Sequence, residues 1–362
     1  MDFDDLTLLV PVRERRYNLD RVFTHYKDLD CKKIGVDSSK KRYNEEHKAK
    51  DFGFEYDYCG PTHYPELKYE MLSKTQTEFV IDCPDDDLFL ISSIEAGVDF
   101  LRKNENYVSC YGEEWRISPG RDRNRINWER DNQGSLDQFQ ELFCVRIKQP
   151  KQDRINCSGT DKSLFGTTDP KIHAHHLKAQ FYTEDPIERI KFNCVPMLGS
   201  AHCLYRTKEL LKINKLIFDN DQLHPIGWAE QVTDILASIA GNRKILSCIW
   251  AIKQVGERLI DVLPEEEMWG PGGEQAGAVV NNLDHNHLDP ICEVLSEFTT
   301  GLEESYEIIR NIFITINDTD STGVVRPLDF PYHASCEKEI SSIAELMSDG
   351  VGSEWGLWGD LV

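Results

Sequence analysis

Three consecutive carboxylates, Asp85, Asp86 and Asp87, are the residues of this chain that packing explains least well. At that spacing they repel one another unless a cation or hydrogen-bond donors compensate. Oxygen ligands suit Mg2+ or Mn2+, which can bridge two phosphates and act as a Lewis acid on a departing diphosphate. The plainer alternative is a solvated acidic turn that caps the following helix. His202 is a candidate to complete a metal shell or to contact an acceptor, and equally a structural histidine ahead of a strand. Asp37 ends an apolar run in Asp37-Ser38-Ser39, where its side chain could organise a turn. Other chemistries find no foothold: there is no GxxxxGK[ST] or GxGxxG loop and no GxSxG. His173, His175 and His176, and the pair His285 and His287, lack a second ligand pair at zinc spacing.

The elements that must carry these groups alternate between strand and helix. Leu6 to Val10, stopped by Pro11, reads as a strand buried on both faces. Leu19, Val22, Phe23 and Tyr26 recur at helical spacing. Ile34 to Val36, Phe54 to Tyr58 and Phe79 to Ile81 read as further strands, with a helix opened by Pro65 before the last of them. Ser92 and Ser93 are candidate caps for a helix whose apolar face is Ile94, Val98 and Leu101. That order predicts an α/β domain with a largely parallel sheet, whose ligands bind outside the carboxyl ends of the strands. Asp37 and the acidic triplet both follow strand ends, so one crevice could gather them.

The polar stretch from 113 to about 180 reads as an insertion of loops and short elements. Regular pattern returns at Asp185-Pro186, a cap followed by a first-turn proline, and continues through a strand at 202–205 with a helix starting at Thr207. Trp228 to Ala240 is a helix closed by Gly241. Arg206 has Asp219 as an available acid. Apolar residues from Ile291 to Phe313 step by three or four, which predicts one long amphipathic helix lying on the main body or on a second subunit. The tail beyond about 345, with Trp355 and Trp358, is expected to be poorly ordered unless its tryptophans dock.

Bulk composition bounds the partners. The 362 residues carry a formal net charge of −22, which argues against a nucleic-acid partner, since phosphate backbones demand a basic footprint. From Glu265 onward there are twenty acids against three bases, so a separate acidic C-terminal region is expected. It should be repelled by anionic lipid, leaving the locally basic 116–130 stretch for any peripheral membrane contact. No apolar run approaches the roughly 18 residues needed to span a bilayer. The acidic N-terminus is unlike a secretory signal, and the 11 cysteines contain no CxxC pair, so free thiols in the cytoplasm are expected.

A family resemblance rests on several of these segments. Thr77 to Asp87 resembles the strand and DxD-type motif of inverting glycosyltransferases of the A-type (GT-A) fold, in the large family 2-like group. Phe100 to Asn104 and Tyr107-Val108-Ser109 resemble its subgroup with a DDD motif. Leu8 to Arg15 is similar to the group's first strand and turn, with Arg13 in place of the usual Asn. Val36 to Ser39, Arg189-Ile190, Ala201 to Thr207 and Trp228 to Gln231 are similar to its later motifs, so the likeness spans about residues 5–250.

That resemblance implies roles. Pro11, Arg13 and Asp37 would border the nucleoside, with Asp37 accepting a hydrogen bond from the base. Asp85 and Asp87, with Asp86 between them, would face the diphosphate, Asp87 as the first choice of direct metal ligand and Asp85 beside it, and Lys68 would reach the phosphates. Glu230 would deprotonate the acceptor hydroxyl as it attacks the anomeric carbon, with Asp234, one turn on, as the competing base. As plainer alternatives, Lys68 is a surface helix lysine and Glu230 serves the helix dipole.

The expected architecture is therefore a GT-A type α/β fold, a mostly parallel sheet flanked by helices, with an acidic, mainly helical C-terminal extension. Residues 1–112 would form the nucleotide-sugar half, 113–264 the acceptor and catalytic half, and 265–362 the extension. The expected activity is metal-dependent, inverting sugar transfer in glycan or polysaccharide biosynthesis. The donor would be a nucleotide-diphosphate sugar, a UDP-sugar foremost, used with Mn2+ or Mg2+. The acceptor would be a glycan, a lipid-linked sugar or a small molecule, and a homodimer could form through the C-terminal helix. The alternatives are a nucleotidyltransferase on a related sheet and a non-catalytic glycan-binding or assembly subunit.

Overall fold

The computed structural model describes residues 3–13, 18–43, 46–117, 183–193, 202–224, 226–254 and 285–318, with positions 339, 342, 343 and 346. The basic 116–130 stretch beyond 117, the histidines at 173–176 and the tryptophans of the tail lie outside the described residues. The first half runs β1 (Phe3–Val12), α1 (Leu19–Tyr26), β2 (Cys31–Asp37), α2 (Glu46–Asp51), β3 (Glu55–Tyr58), α3 (Tyr64–Ser73), β4 (Phe79–Asp82), β5 (Asp87–Phe89), α4 (Ile91–Lys103) and β6 (Tyr107–Ile117). The second half continues with α5 (Pro186–Asn193), β7 (Leu204–Arg206), α6 (Thr207–Phe218), a 3-10 turn (Asp221–Leu223), α7 (Ile226–Ala240), β8 (Asn242–Gln254), α8 (His285–Ser296) and α9 (Leu302–Asp318). This is a mixed α/β fold.

Among the described residues one sheet forms, in the order β3-β2-β1-β4-β7-β6-β8-β5. β1, β2, β3 and β4 pair in parallel, as do β6 and β8, while β7 is antiparallel to both its neighbours and β5 to β8. The chain steps outward from β1 to β2 to β3 and then returns to lie at β4 on the other side of β1. Right-handed crossovers therefore put α3 on the opposite face from α1 and α2. The strand order reverses at β1, and a crevice opens there outside the carboxyl ends of the strands. Register fixes what stands at its rim: Asp37 pairs with Val12, and Asp82 pairs with Leu9. Strand interiors are apolar on both faces, with Leu6, Leu8, Val10, Phe79, Val80 and Ile81 fully buried, as a helix-covered parallel sheet requires.

Helix α4 packs tightly on β6, β7 and β8. A Cβ at Gly97 would lie 2.9 Å from the Trp250 ring and 3.1 Å from Leu204, so only glycine admits this approach. The C-terminal end of α4 is stapled by Arg206, which donates to the carbonyls of Leu101 (2.6 Å), Asn104 (3.2 Å) and Tyr107 (3.0 Å). Its acidic partner is Glu78 at 2.7 Å rather than Asp219, which pairs with Lys215 one turn away on its own helix end. The N-terminal cap also differs from the sequence expectation. Leu90 is the cap residue, and the Ile91 and Ser92 backbone N–H groups and the Ser92 hydroxyl all donate to the Glu339 carboxylate. A carboxylate suits a helix N-terminus because of its orphan N–H groups and positive dipole end, and a distant chain segment supplied it. Ile343, fully buried, docks the same segment.

Two further expectations are corrected. The long C-terminal helix is broken into α8 and α9 at 297–301, where Glu304 accepts from the Thr300 N–H and hydroxyl at 2.7 Å and so caps a new helix start. α8 lies against α7, on the body of this chain. Gly241 ends α7 without adopting a left-handed conformation; a Cβ there would stand 2.4 Å from Val108, so close approach of the strand is what requires glycine. Asp185 does cap α5, its carboxylate accepting from Ile187 and Glu188 at 2.9 and 3.5 Å.

The end of α1 holds β5, the last strand of the sheet. Phe89 N–H donates to the Tyr26 hydroxyl at 2.7 Å, and His25 Nε2–H donates to the Phe89 carbonyl at 2.8 Å. Desolvation pushes His25 down to about 4, against the opposing pull of that carbonyl. No helix among the described residues is long and apolar enough to cross a membrane.

Two stability effects are expected. Gly97→Ala overpacks the Trp250 contact and should cost about 1–3 kcal/mol in denaturant unfolding. Because the folded-state pKa of His25 lies below its ordinary value of 6.5, the unfolded chain binds the extra proton first. Stability should thus be intact above pH 6.5 and fall as pH drops toward 4, by up to about 3 kcal/mol. His25→Gln should flatten that part of the profile.

Candidate functional site

Strand β4 ends at Asp82, which is 4% exposed. The chain then turns through Cys83 and Pro84 into the acidic triplet, with Cys83 N–H donating to the Leu9 carbonyl (2.8 Å) at the centre of the sheet. The triplet is not a solvated turn. Asp85 is fully buried and Asp87, already in β5, is 3% exposed; only Asp86 is partly open. Arg21 from α1 reaches the Asp86 carbonyl at 3.4 Å, which ties the turn down.

The structure brings Asp87 and His202 together. Asp87 Oδ2 lies 3.6 Å from His202 Nδ1, and His202 is 7% exposed just ahead of β7. The His202 carbonyl accepts from the buried Trp250 Nε1–H at 2.5 Å, which holds the backbone, and Phe89 stands beside the imidazole ring. Neighbouring ligands of an octahedral ion with bonds of about 2.1 Å stand about 3.0 Å apart, so the two groups would have to close by about half an ångström to share one. Imidazole with carboxylate is a donor set that Mn2+ accepts. Among the described residues no three His, Cys, Asp or Glu side chains group closely enough to enclose a metal by themselves.

At the opposite side of β1, Asp37 is fully buried. Its Oδ1 accepts from Ser39 N–H at 2.8 Å, the expected turn, and its Oδ2 accepts from the Tyr56 hydroxyl at 2.5 Å. Pro11 lies one residue before the end of β1, opposite Val36, and Arg13 donates to the Thr62 carbonyl at 3.2 Å, linking the β1 and β3 ends.

Lys68 and Glu230 meet in a different part of the crevice. Lys68 is no surface lysine: it is 8% exposed, and its Nζ stands 2.8 Å from Asp82 Oδ2, which also accepts from the Tyr64 hydroxyl at 3.1 Å. Burial alone would favour the neutral amine, but Asp82, with Tyr64 and Glu230, holds the ammonium above the ordinary lysine range. Tyr64 is likewise pushed up, by burial first and then by Asp82. Glu230, exposed on the first turns of α7, lines a small cleft with Tyr64, Pro65, Lys68, Asn214, Ile217 and Thr233.

Asp234 does not share that cleft. It is 2% exposed, and its Oδ1 lies 2.6 Å from Arg243 Nη1, itself fully enclosed. A buried carboxylate bonded to a buried guanidinium is shut off from an acceptor, so the competing base is in a structural pair. Arg189 is structural too, donating to the Ser238 and Ile239 carbonyls at the end of α7, both at 2.7 Å. Sequence reasoning missed Asp82, Tyr64 and Tyr56. The one available signal was that Asp82 closes an otherwise apolar strand.

No family model matches the chain, and no curated protein does. Among solved structures, S. aureus TarS 1-349 is similar at 12% identity and a TM-score of 0.39, over 98% of this chain and 91% of that one. The mannosyltransferase PcManGT from Pyrobaculum calidifontis, in complex with GDP-Man and Mn2+, is similar at 9% identity and a TM-score of 0.40, over 98% of this chain and 88% of that one. Likeness at this level leaves the function to rest on the site's own geometry.

Proposed function

We propose that this chain is a metal-assisted glycosyltransferase that moves a sugar from a nucleotide-diphosphate sugar to an acceptor hydroxyl with inversion. The observation that carries this reading is the buried pair of Asp87 and His202 directly after β4, at the rim of the crevice where the strand order reverses. Asp87 and His202 would hold Mn2+ or Mg2+, with Asp85 behind them. When bound, that ion neutralises charge on the nucleoside diphosphate as it leaves.

The protein's own groups do the rest. Asp37, oriented by Ser39 and Tyr56, is placed to accept from a nucleobase, with Pro11 and Arg13 bordering the nucleoside. Glu230 is the accessible carboxylate of the crevice and the better base, since Asp234 is engaged by Arg243. It takes the acceptor hydroxyl's proton while the oxygen forms its bond to the anomeric carbon. The carbon–oxygen bond to the diphosphate breaks on the opposite face, its electron pair leaving with the diphosphate, so the configuration inverts.

Calorimetry with UDP, GDP, CDP and dTDP tests the donor half. At least one should bind, and Mn2+ should tighten it at least about tenfold. Asp87→Asn and His202→Ala should each remove most of that metal-dependent gain. If no nucleotide binds with or without metal, the reading fails. Glu230→Gln should lower turnover by about 10²–10⁴-fold and leave donor affinity unchanged. Retained turnover would place the base elsewhere.

A further inference from the structure

Asp87 begins a strand with little to hold it. Among the described residues β5 is three residues long, stands at the end of the sheet and pairs with β8 alone. Where β5 passes into α4, the chain is tied to the segment that carries His202. Leu90 N–H donates to the Trp250 carbonyl at 2.9 Å, and the Trp250 indole N–H donates to the His202 carbonyl at 2.5 Å. The Phe89 ring lies between these groups, its centroid 6.0 Å from that of His202 and 6.0 Å from that of Trp250. Both candidate metal ligands therefore hang from one junction, the step from Phe89 to Leu90.

The C-terminal extension supplies a clamp at that junction. Leu90, in the cap position of α4, has no side chain that can accept a hydrogen bond. The Glu339 carboxylate takes that role, accepting from the Ile91 and Ser92 backbone N–H groups and from the Ser92 hydroxyl at 2.8 Å. Charge strengthens these bonds, and the positive end of the helix dipole favours an anion there. Ile343, four residues after Glu339, is fully buried in the core, so the carboxylate is presented from an anchored segment.

We propose that Glu339 is a positioning residue for the Asp87–His202 pair, so that the acidic extension governs how well the site takes its metal. The assignment rests on the glycosyl-transfer reading above. The pair stands 3.6 Å apart and must close by about half an ångström to share an octahedral ion, so a small shift of the β5–α4 junction decides whether the ion is held. Groups one step removed from metal ligands govern metal affinity by about 10–100-fold. Glu339 acts in this way through α4, with Asp87 four residues before Ile91 and His202 joined through Trp250.

Calorimetry with UDP, GDP, CDP and dTDP, with and without Mn2+, tests this on the full chain, beside denaturant unfolding. Glu339→Ala should weaken nucleotide binding in Mn2+ by about tenfold and leave metal-free affinity within about twofold. Glu339→Gln, which keeps an acceptor oxygen, should recover at least about threefold of that loss. Asp185→Ala is the control: it removes the cap of α5, so stability falls while the gain from Mn2+ stays at the wild-type value. Should Glu339→Ala fail to fold, Ser92→Ala removes one of the three donors and carries the same expectation in smaller measure. An unchanged Mn2+ gain in Glu339→Ala, an equal loss in Asp185→Ala or a parallel fall in metal-free affinity would overturn the proposal. So would a Glu339→Gln variant as impaired as Glu339→Ala, since distant charge and not the cap would then act on the ion. A wild-type chain that binds no nucleotide, or binds one with no gain from Mn2+, would instead sink the metal-assisted reading itself.

Discussion

Four buried carboxylates at one rim of a sheet set the terms for everything around them. Asp37, Asp82, Asp85 and Asp87 are each at most 4% exposed, and three of them lie within six residues of chain. Two like charges 4 Å apart repel by about 4 kcal/mol at an effective dielectric near 20. Buried carboxylates persist where neighbouring groups answer their charge, and the described contacts do so for three of the four. Asp37 is answered by a backbone N–H and a tyrosine hydroxyl, Asp82 by Lys68 and Tyr64, and Asp87 by the nearby His202.

The rest of the fold holds these partners at the right distance. The β1–β4 register sets Asp82 level with Leu9, while the end of α1 grips Phe89 and so fixes the strand that begins with Asp87. Arginines are spent on the scaffold: Arg206 closes α4, Arg189 closes α7, and Arg243 locks Asp234. The acidic extension joins in through α8 packed on α7 and through Glu339 at the start of α4, only four residues after Asp87. It belongs to the body that carries the site.

Division of labour within the crevice follows from this. The Asp87–His202 pair and Asp37 stand at the strand ends, and the Lys68–Asp82–Tyr64 group shares a small cleft with Glu230. Asp82 stands between the two, three residues before Asp85, so a single strand end serves both sides. Asp234 and Glu230, one turn apart on the same face of α7, have opposite fates because Glu230 stands near the exposed start of the helix, whereas Asp234 lies one turn further on against the buried Arg243.

Local pattern was enough to determine β1, α1, β2, β3, α3, β4 and α4, though not α2 or β5, together with the α5 cap at Asp185 and the position of the acidic triplet after an apolar strand. Those follow from periodicity and turn chemistry, which act over a few residues. Local pattern misread the α4 cap, the partner of Arg206, the length of the C-terminal helix and the reason for Gly241. In each case a residue distant in sequence, or a capping contact at the break, decided the matter. The same holds at the site: that Asp87 meets His202 across 115 residues of chain, that Lys68 is buried on Asp82, and that Asp234 is taken by Arg243 all depend on which strand lies beside which. The sequence specifies which groups are available and what strand or helix carries them; only the folded sheet, by bringing remote chain ends to one edge and burying charge there, decides which group faces which.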